Sequence, residues 1–509
     1  MIERKILIGL ITNTDYLTQL KSEWNADYIE SPTARILASW CWEYFAEFSH
    51  APMHEIDIIY IEKLKKGLNK SIAEEIETEI LPELSAEFEK ETITIDKLLK
   101  KTRAYFIERQ IKLHNELTES LLEKGDVEKA KEEIKQFKLK EGGLNEGLDL
   151  SQPETLERVT EAFNKNRRIV IKFPGALGEF WNEELRRGGF VALMGRAKMG
   201  KTFWLLEFMM RSYAQKRKVA FFQAGDMTEL EQLVRICSYL AEKPTQQRDC
   251  GEIYVPHQDC LKNQNDTCDK KIRECRFGVL EDVSDRDKIT KQNLIEALKD
   301  NPDYKPCFNC VDWQRNKWGS IWLEKKIITE PLGVREAKKV VRKFFVKAGR
   351  MIKMASYANS SLTVSEIERV LDVWKRQDDF VPDVIIVDYA DLLVPEVKME
   401  FRHQQDHIWR RLRGLSQTQD ALLITATQTD AQSYKSNRLD MGNFTEDRRK
   451  YDHVTATFGL NQDKEGREKE IGLMRINRIV LREGDFHSSQ EVNVLQQLKI
   501  GKPFLGSFY

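Results

Sequence analysis

The pattern of apolar and polar positions changes period near residue 170. Before it, apolar residues recur at helical spacing in "ARILASWCWEYFAEF" and "IDKLLKKTRAYFIERQIKLHNELTESLLEKG", with charged residues between them. This predicts an all-helical domain over residues 1–140. "KEGGLNEGLDLSQPE" then gathers Gly, Asn, Ser and Pro, a linker composition, and "SQPETLERVTEAFNKN" reads as a short capped helix. Together they predict a linker and linker helix over 141–168. Beyond it, the apolar runs "FVALMG", "KVAFFQAG", "DVIIVDY", "LLITATQT" and "TATFGLN" alternate with helical patterns. That alternation predicts an α/β sheet domain over 169–509.

Between the first of these strands and a helical run stands "GRAKMGKT". Gly195, Gly200, Lys201 and Thr202 hold the four fixed positions of a phosphate-binding loop, the Walker A pattern, and Arg196, Ala197, Lys198 and Met199 fill the turn. Successive backbone N–H groups must curl around phosphate oxygens, and a side chain at either glycine would obstruct that approach. Lys201 supplies a mobile charge for the β- and γ-phosphates, and the Thr202 hydroxyl is suited to ligate magnesium. A surface turn that merely contains Gly and Lys does not require all four positions between a strand and a helix. The loop therefore predicts a nucleoside triphosphate site.

The whole chain narrows the class. With 509 residues, 41% hydrophobic and 32% charged, it has room for two or three domains with proper cores. No apolar run reaches the roughly 18 residues of a membrane span. The opening "MIERKILIGLITNTDYL" is short in apolar length and turns polar, unlike a secretory leader. A soluble, cytoplasmic protein with no membrane partner is expected. Its formal charge of −1 offers no global attraction to nucleic acid, so DNA contact must come from local basic surfaces.

A magnesium-dependent NTPase needs a carboxylate at the tip of a neighbouring buried strand, and "DVIIVDYADLL" supplies Asp388 after four apolar residues. Its alternative reading is a loop residue or helix cap. Asp226, after "KVAFFQAG", suits a base that orients and polarises the attacking water. Gln428 ends "LLITATQT" and suits a γ-phosphate sensor, or a plain hydrogen-bonding role.

These segments resemble the RecA-like motor domain of replicative hexameric helicases of the DnaB type. The resemblance covers roughly residues 165–509 apart from an inserted stretch, and it is strongest in the phosphate loop and over 383–428. It implies ATP and Mg2+ as cofactors, a homo-hexameric ring with ATP at subunit interfaces, and single-stranded DNA through the centre. A primase or helicase loader is an implied partner. The family's usual Glu before Met is here Asp226. Of its C-terminal Lys-x-Arg pair, "NRIVLREGD" keeps Arg482 and has Val480 at the lysine position. Arg482 thus takes the place of the arginine finger that serves the neighbouring subunit's nucleotide, with Arg478 as its rival.

The span from Lys201 to Asp388 is longer than strand–helix units of a few dozen residues need, which predicts an insertion over 244–330. Six of the eight cysteines lie there, Cys250, Cys260, Cys268, Cys275, Cys307 and Cys310. "CFNC" forms a close pair and "CLKNQNDTC" a wider one. Cys260, Cys268, Cys307 and Cys310 are therefore expected to hold a structural Zn2+, letting a small module fold without a large apolar core. Unpaired buried thiols and disulfides are the alternatives, and an intracellular setting disfavours disulfides. "DWQRNKWGSIWLEKK" follows, mixing Trp with Lys and Arg, which suits base stacking and a packing surface equally.

Channel-facing loops are expected to touch DNA. "VPEVKMEFRHQ" is one candidate. "DAQSYKSNRLDMGNFTEDRRKYDH" is the other, with Lys435, Arg438, Arg448 and Arg449 among small polar residues. The leading expectation is an ATP-driven DnaB-like helicase that unwinds forked DNA by translocating on one strand. A RecA-like DNA-binding ATPase acting in recombination or loading without unwinding is the second reading. A signalling or defence ATPase that keeps the fold without translocating is the third.

Overall fold

The computed structural model describes the chain except residues 1, 22, 81, 83–94, 138–149, 151–153, 166–168, 226, 347–348, 397–400, 431–432, 435, 444–448, 484–486 and 488. It divides into two compact units, Met1–Thr155 and Leu156–Tyr509. Among the described residues, no helix is long and apolar enough to cross a membrane.

The first unit is helical, as its apolar spacing predicts. Helix Pro32–Phe48 starts where the Ser31 side chain accepts from the Ala34 N–H and Pro32 takes the first turn, where a missing N–H costs nothing. It ends at Ser49, in the left-handed region. Its inner face buries Leu37, Trp40, Cys41 and Phe45. These belong to one cluster with Ile6, Leu7 and Leu10 of helix Ile2–Thr12 and Leu98, Leu99 and Phe106 of helix Ile95–Glu123. A further helix runs Glu154–Lys165.

Among the described residues, the second unit has eleven strands: β1 (Phe190–Gly195), β2 (Val219–Gln223), β3 (Gly251–Cys260), β4 (Gly319–Ile328), β5 (Ile352–Ser356), β6 (Val384–Asp388), β7 (Leu422–Gln428), β8 (Ala456–Asn461), β9 (Leu473–Leu481), β10 (Glu491–Gln497) and β11 (Lys502–Phe508). Nine form one sheet, in the order β11-β10-β9-β8-β1-β7-β6-β2-β5. From β8 to β5 the neighbours run parallel, whereas β9, β10 and β11 add an antiparallel edge. A parallel sheet is covered on both faces, which is why β1, β2 and β6 read as unbroken apolar runs. One face packs Trp204, Leu205 and Phe208 of helix Lys201–Ala214. The other packs Ile367 and Leu371 of helix Val364–Asp378 with Ile408, Trp409 and Leu412 of helix Phe401–Thr418.

The insertion is organised differently from its sequence expectation. β3 and β4 pair antiparallel from Gly251 opposite Ile328 to Cys260 opposite Gly319, closing residues 261–318 into one excursion. Its Leu261, Leu280, Ile289, Leu294, Ile321, Trp322 and Leu323 form a core with Ile471, Leu473, Leu495 and Phe508, which come from the sheet's antiparallel edge and the turn leading to it. Among the described residues no three His, Cys, Asp or Glu side chains are grouped to hold a metal ion. The zinc set Cys260, Cys268, Cys307 and Cys310 is therefore not assembled. The physical reason is that the insertion borrows an apolar core from the sheet, so it lacks the deficit a zinc ion would offset. The cysteines serve locally. Cys275 Sγ accepts from the Lys305 N–H at 3.2 Å, Cys310 Sγ accepts from Lys270 Nζ at 3.6 Å, and Cys307 is buried.

Candidate nucleotide site

β1 ends at Gly195 and helix Lys201–Ala214 begins six residues later. Gly200 makes this turn possible. Its φ is +83°, in the left-handed region, and a Cβ there would lie 3.0 Å from Leu498 Cδ1. Lys201 is buried, and its Nζ donates to the carbonyls of Gly195 at 2.7 Å and Arg196 at 3.0 Å, holding the ammonium across the loop. A cavity of about 440 Å³ opens beside it, lined by Ala197, Lys198, Gly200, Lys201, Thr202, Phe203, Arg235, Tyr389, Gln428 and Leu498.

The sheet register brings the other strand tips to the same edge. Gly195 stands opposite Gln428 across the β1–β7 pair, and Gln223 opposite Asp388 across β2–β6. Asp388 is 1% exposed, and Thr202 Oγ1 donates to its Oδ1 at 3.4 Å. A hydroxyl beside a buried carboxylate is the oxygen donor set that magnesium takes in phosphate-loop enzymes. Gln428 Nε2 donates to the Tyr389 hydroxyl at 2.7 Å, which fixes the amide at the cavity wall.

A second carboxylate supports this edge and was not singled out by the sequence. Asp391 Oδ2 accepts from Thr427 Oγ1 at 2.7 Å and from the Gln428 N–H at 3.1 Å, while its Oδ1 takes Lys450 Nζ at 2.8 Å. Lys450 is wholly buried. Asp391 therefore ties the tip of β7 to helix Lys450–His453. The signal lay in "DYADLL", three residues past Asp388, but its partner is far away along the chain.

Arg482 lies at the other end of the sheet. Its N–H donates to the Thr455 carbonyl at 2.9 Å, and the Thr455 N–H donates to the Phe190 carbonyl at 2.7 Å, at the start of β1 rather than at its Gly195 end. Arg482 stands in a group with Arg186, Arg413 and Glu483. Burial, and then the positive charges of Arg482 and Arg186, lower the Arg413 guanidinium from its ordinary range. Arg478, the rival, is engaged in packing, with its guanidinium 4.4 Å from the Phe180 ring centroid and donating to the Phe180 carbonyl.

Of the remaining expected residues, Asp226, Lys435 and Arg448 lie outside the described residues. Met199 packs against the sheet core. Arg438 is committed to an ion pair, its Nε 3.2 Å from Glu491 Oε1. Arg449 stands at the N-cap position of helix Lys450–His453. Arg196 reaches from the loop between β1 and helix Lys201–Ala214 into the segment after β7. It donates to the Ser436 carbonyl, and its guanidinium sits 5.7 Å from the centroid of the exposed Tyr434 ring.

No family model and no curated protein matches the chain. Among solved structures, one described as "The Structure Of A DnaB-Like Replicative Helicase And Its Interactions With Primase" is similar over 98% of this chain and 98% of that one, at 13% identity and a TM-score of 0.57. Another, described as an ATPase domain, is similar over 70% of this chain and 99% of that one, at 16% identity and a TM-score of 0.44. The first likeness shows the fold alone: a RecA-like α/β sheet with an N-terminal helical part.

Proposed function

We propose that the chain is an ATP-driven DNA motor of the DnaB type, hydrolysing ATP at the carboxyl edge of its sheet and unwinding forked DNA as a homo-hexameric ring on one strand. The observation that carries this reading is the convergence of Lys201, Thr202 and Gln428 on one cavity, with Asp388 held against Thr202, at the tips of β1, β6 and β7. Open α/β sheets bind ligands at this edge, and the loop's N–H groups with the helix start favour phosphate. Lys201 is suited to neutralise the β- and γ-phosphates, and Thr202 and Asp388 would hold magnesium. When bound, the ion screens charge on the phosphates. Asp226, shortly after β2 in the sequence, is the residue for orienting the attacking water, and Gln428 for sensing the γ-phosphate.

Arg482 is suited to serve a neighbouring subunit. It lies at the start of β1, roughly the six-residue length of that strand from its own phosphate loop, about 20 Å at strand rise. A loop tied to the phosphate loop through Arg196 and Ser436 is a short physical route from nucleotide to the DNA-facing segment. There Lys435, Arg438, Arg448 and Arg449 remain the candidates for phosphate contact, with Arg438 needing release from Glu491. A primase or a loader is the proposed protein partner, since the similar structure is described with primase interactions.

The test is strand displacement on forked DNA with ATP. Duplex opening supports the reading. ATP turnover stimulated by single strands, with no opening under any fork geometry, would replace it with a RecA-like loading or recombination ATPase.

A further inference from the structure

The insertion contains a cavity that the ATPase edge does not use. It measures about 590 Å³ and is lined by residues of β3, β4, helix Lys291–Asp300 and the segment leading to "CFNC". This is within the range of small-ligand sites, about 300–1,000 Å³. Four aromatic rings line it: Tyr254, Tyr304, Phe308 and Trp322. Tyr304 and Trp322 are buried, with ring centroids 4.7 Å apart and planes tilted 52°, so they form a floor that presents one ring face at a time to a ligand. The Tyr304 hydroxyl is held by Asp259 Oδ2 at 2.7 Å and Asn263 Nδ2 at 2.6 Å, so its polar end is already satisfied by the protein. Phe308 is 46% exposed, a large aromatic that a folded chain ordinarily covers.

The polar groups among the lining residues are few. Lys299 and Lys325 are cationic, and Lys325 pairs with Glu252. His257 pairs with Glu324 at 2.7 Å. Lys291 stands 5.7 Å from the Tyr254 ring centroid. The same insertion carries a second aromatic–cation set, Trp318 with Lys262 at 4.3 Å and Lys317 at 5.7 Å, and an exposed Trp313. Stacking platforms interleaved with lysines are the chemistry that holds single strands without reading sequence.

We propose that this cavity holds a nucleobase of single-stranded DNA, stacked on Phe308 and the Tyr304–Trp322 floor, with the adjoining phosphate at Lys299 and Lys325. The assignment rests on the reading of the chain as a DNA motor, and it gives the strand a second hold on a surface distinct from the ATP edge. An aromatic stacking face is sequence-tolerant, because every base has a π-face, so the hold works on any strand being moved. The His257–Glu324 pair offers polar atoms to a base edge without demanding one base.

The experiment uses the full chain and an oligothymidylate carrying 5-iododeoxyuridine. Irradiation should cross-link the base to a peptide containing Phe308, Tyr304 or Trp322, identified by mass spectrometry. Phe308→Ala combined with Lys299→Glu, both at exposed positions, should weaken oligonucleotide binding about tenfold and remove that cross-link. DNA-independent ATP turnover should stay unchanged. Binding within twofold of the parent, with cross-links confined to residues outside the insertion, overturns the assignment. An unvaried chain whose turnover ignores DNA but which still cross-links at the slot would sink the motor reading and leave the slot standing.

Discussion

The carboxyl edge of the sheet and the inserted hairpin each contain a carboxylate held off from water, and they stabilise it in different ways. At the edge, Asp391 accepts from Thr427 and the Gln428 N–H and also faces the buried ammonium of Lys450. In the insertion, Asp259 is 1% exposed and accepts from Tyr304 and from the backbone N–H groups of Cys260 and Cys307, with no cation among these donors. Neutral donors offset only part of the desolvation, and burial pushes the Asp259 carboxyl up to about 6. An ion pair fixes the strand tip that is suited to sense nucleotide. A hydrogen-bonded acid fixes a fold element. The contrast separates a site arranged around charge from a module arranged around an apolar core.

The sharpest break of the comparison is at Lys201. Lys201→Ala removes the ammonium that spans the loop and should reduce ATP turnover to background, with the sheet intact by circular dichroism. Near-normal turnover would remove Lys201 from the site.

Next in size is Arg482→Ala. Charge builds on the transferred phosphoryl group, and an arginine fork supplied by a neighbour is worth about 10³-fold or more. The variant should bind ATP normally and hydrolyse it slowly. Mixing it with Lys201→Ala subunits should recover turnover, because some interfaces then pair an intact loop with an intact arginine. No recovery in rings shown to be mixed excludes action across the interface.

The two carboxylates can then be compared directly. Asp391→Ala leaves the Lys450 ammonium buried without that partner and should cost about 3–5 kcal/mol. Adding Lys450→Met should return much of it, read by a double-mutant cycle in denaturant. For Asp259 the cost depends on pH. Its folded value, about 6, exceeds the ordinary value, so folding favours the protonated acid. Its penalty is absent below about pH 4 and grows as pH rises to about 6, reaching about 3 kcal/mol. Asp259→Asn should remove that slope, measured by hydrogen exchange across β3 and β4. An unchanged slope would mean that another group causes it.

What could be read from the sequence follows the same division. The 195–202 loop is contiguous, Asp388 ends an unbroken apolar run and Gln428 a largely apolar one, so local pattern alone proposes them as candidates. Asp391 and Lys450 make sense only as a pair, and nothing local to either names the other. β3 was missed because its burial is irregular around Pro256 and its polar neighbours, and β10 and β11 because an antiparallel edge shows weaker runs than a doubly covered centre. The zinc expectation failed for a related reason. Cysteine density is visible in a short stretch, whereas Ile471, Leu473, Leu495 and Phe508, which complete the insertion's core, lie far along the chain.

The smallest expected effect is the most direct test of that last point. If the insertion folded around zinc, removing two ligands or the ion would unfold it, because metal binding and folding would be one free energy. The structure instead gives it a shared apolar core, with Cys307 buried as a small side chain and Cys310 accepting from Lys270. Cys307→Ser with Cys310→Ser should therefore change the insertion's resistance to protease little, by about 1 kcal/mol of local stability, the scale of one modest polar change in a core. Chelator should change it not at all. Leu294→Ala, by contrast, removes a fully buried member of that core and should cost about 2–5 kcal/mol. Limited proteolysis of the three proteins with and without chelator ranks these outcomes. A chelator-sensitive cut between β3 and β4 in the parent chain, abolished in the order expected of a metal site, would reverse the conclusion that the core, and not a metal, holds the insertion.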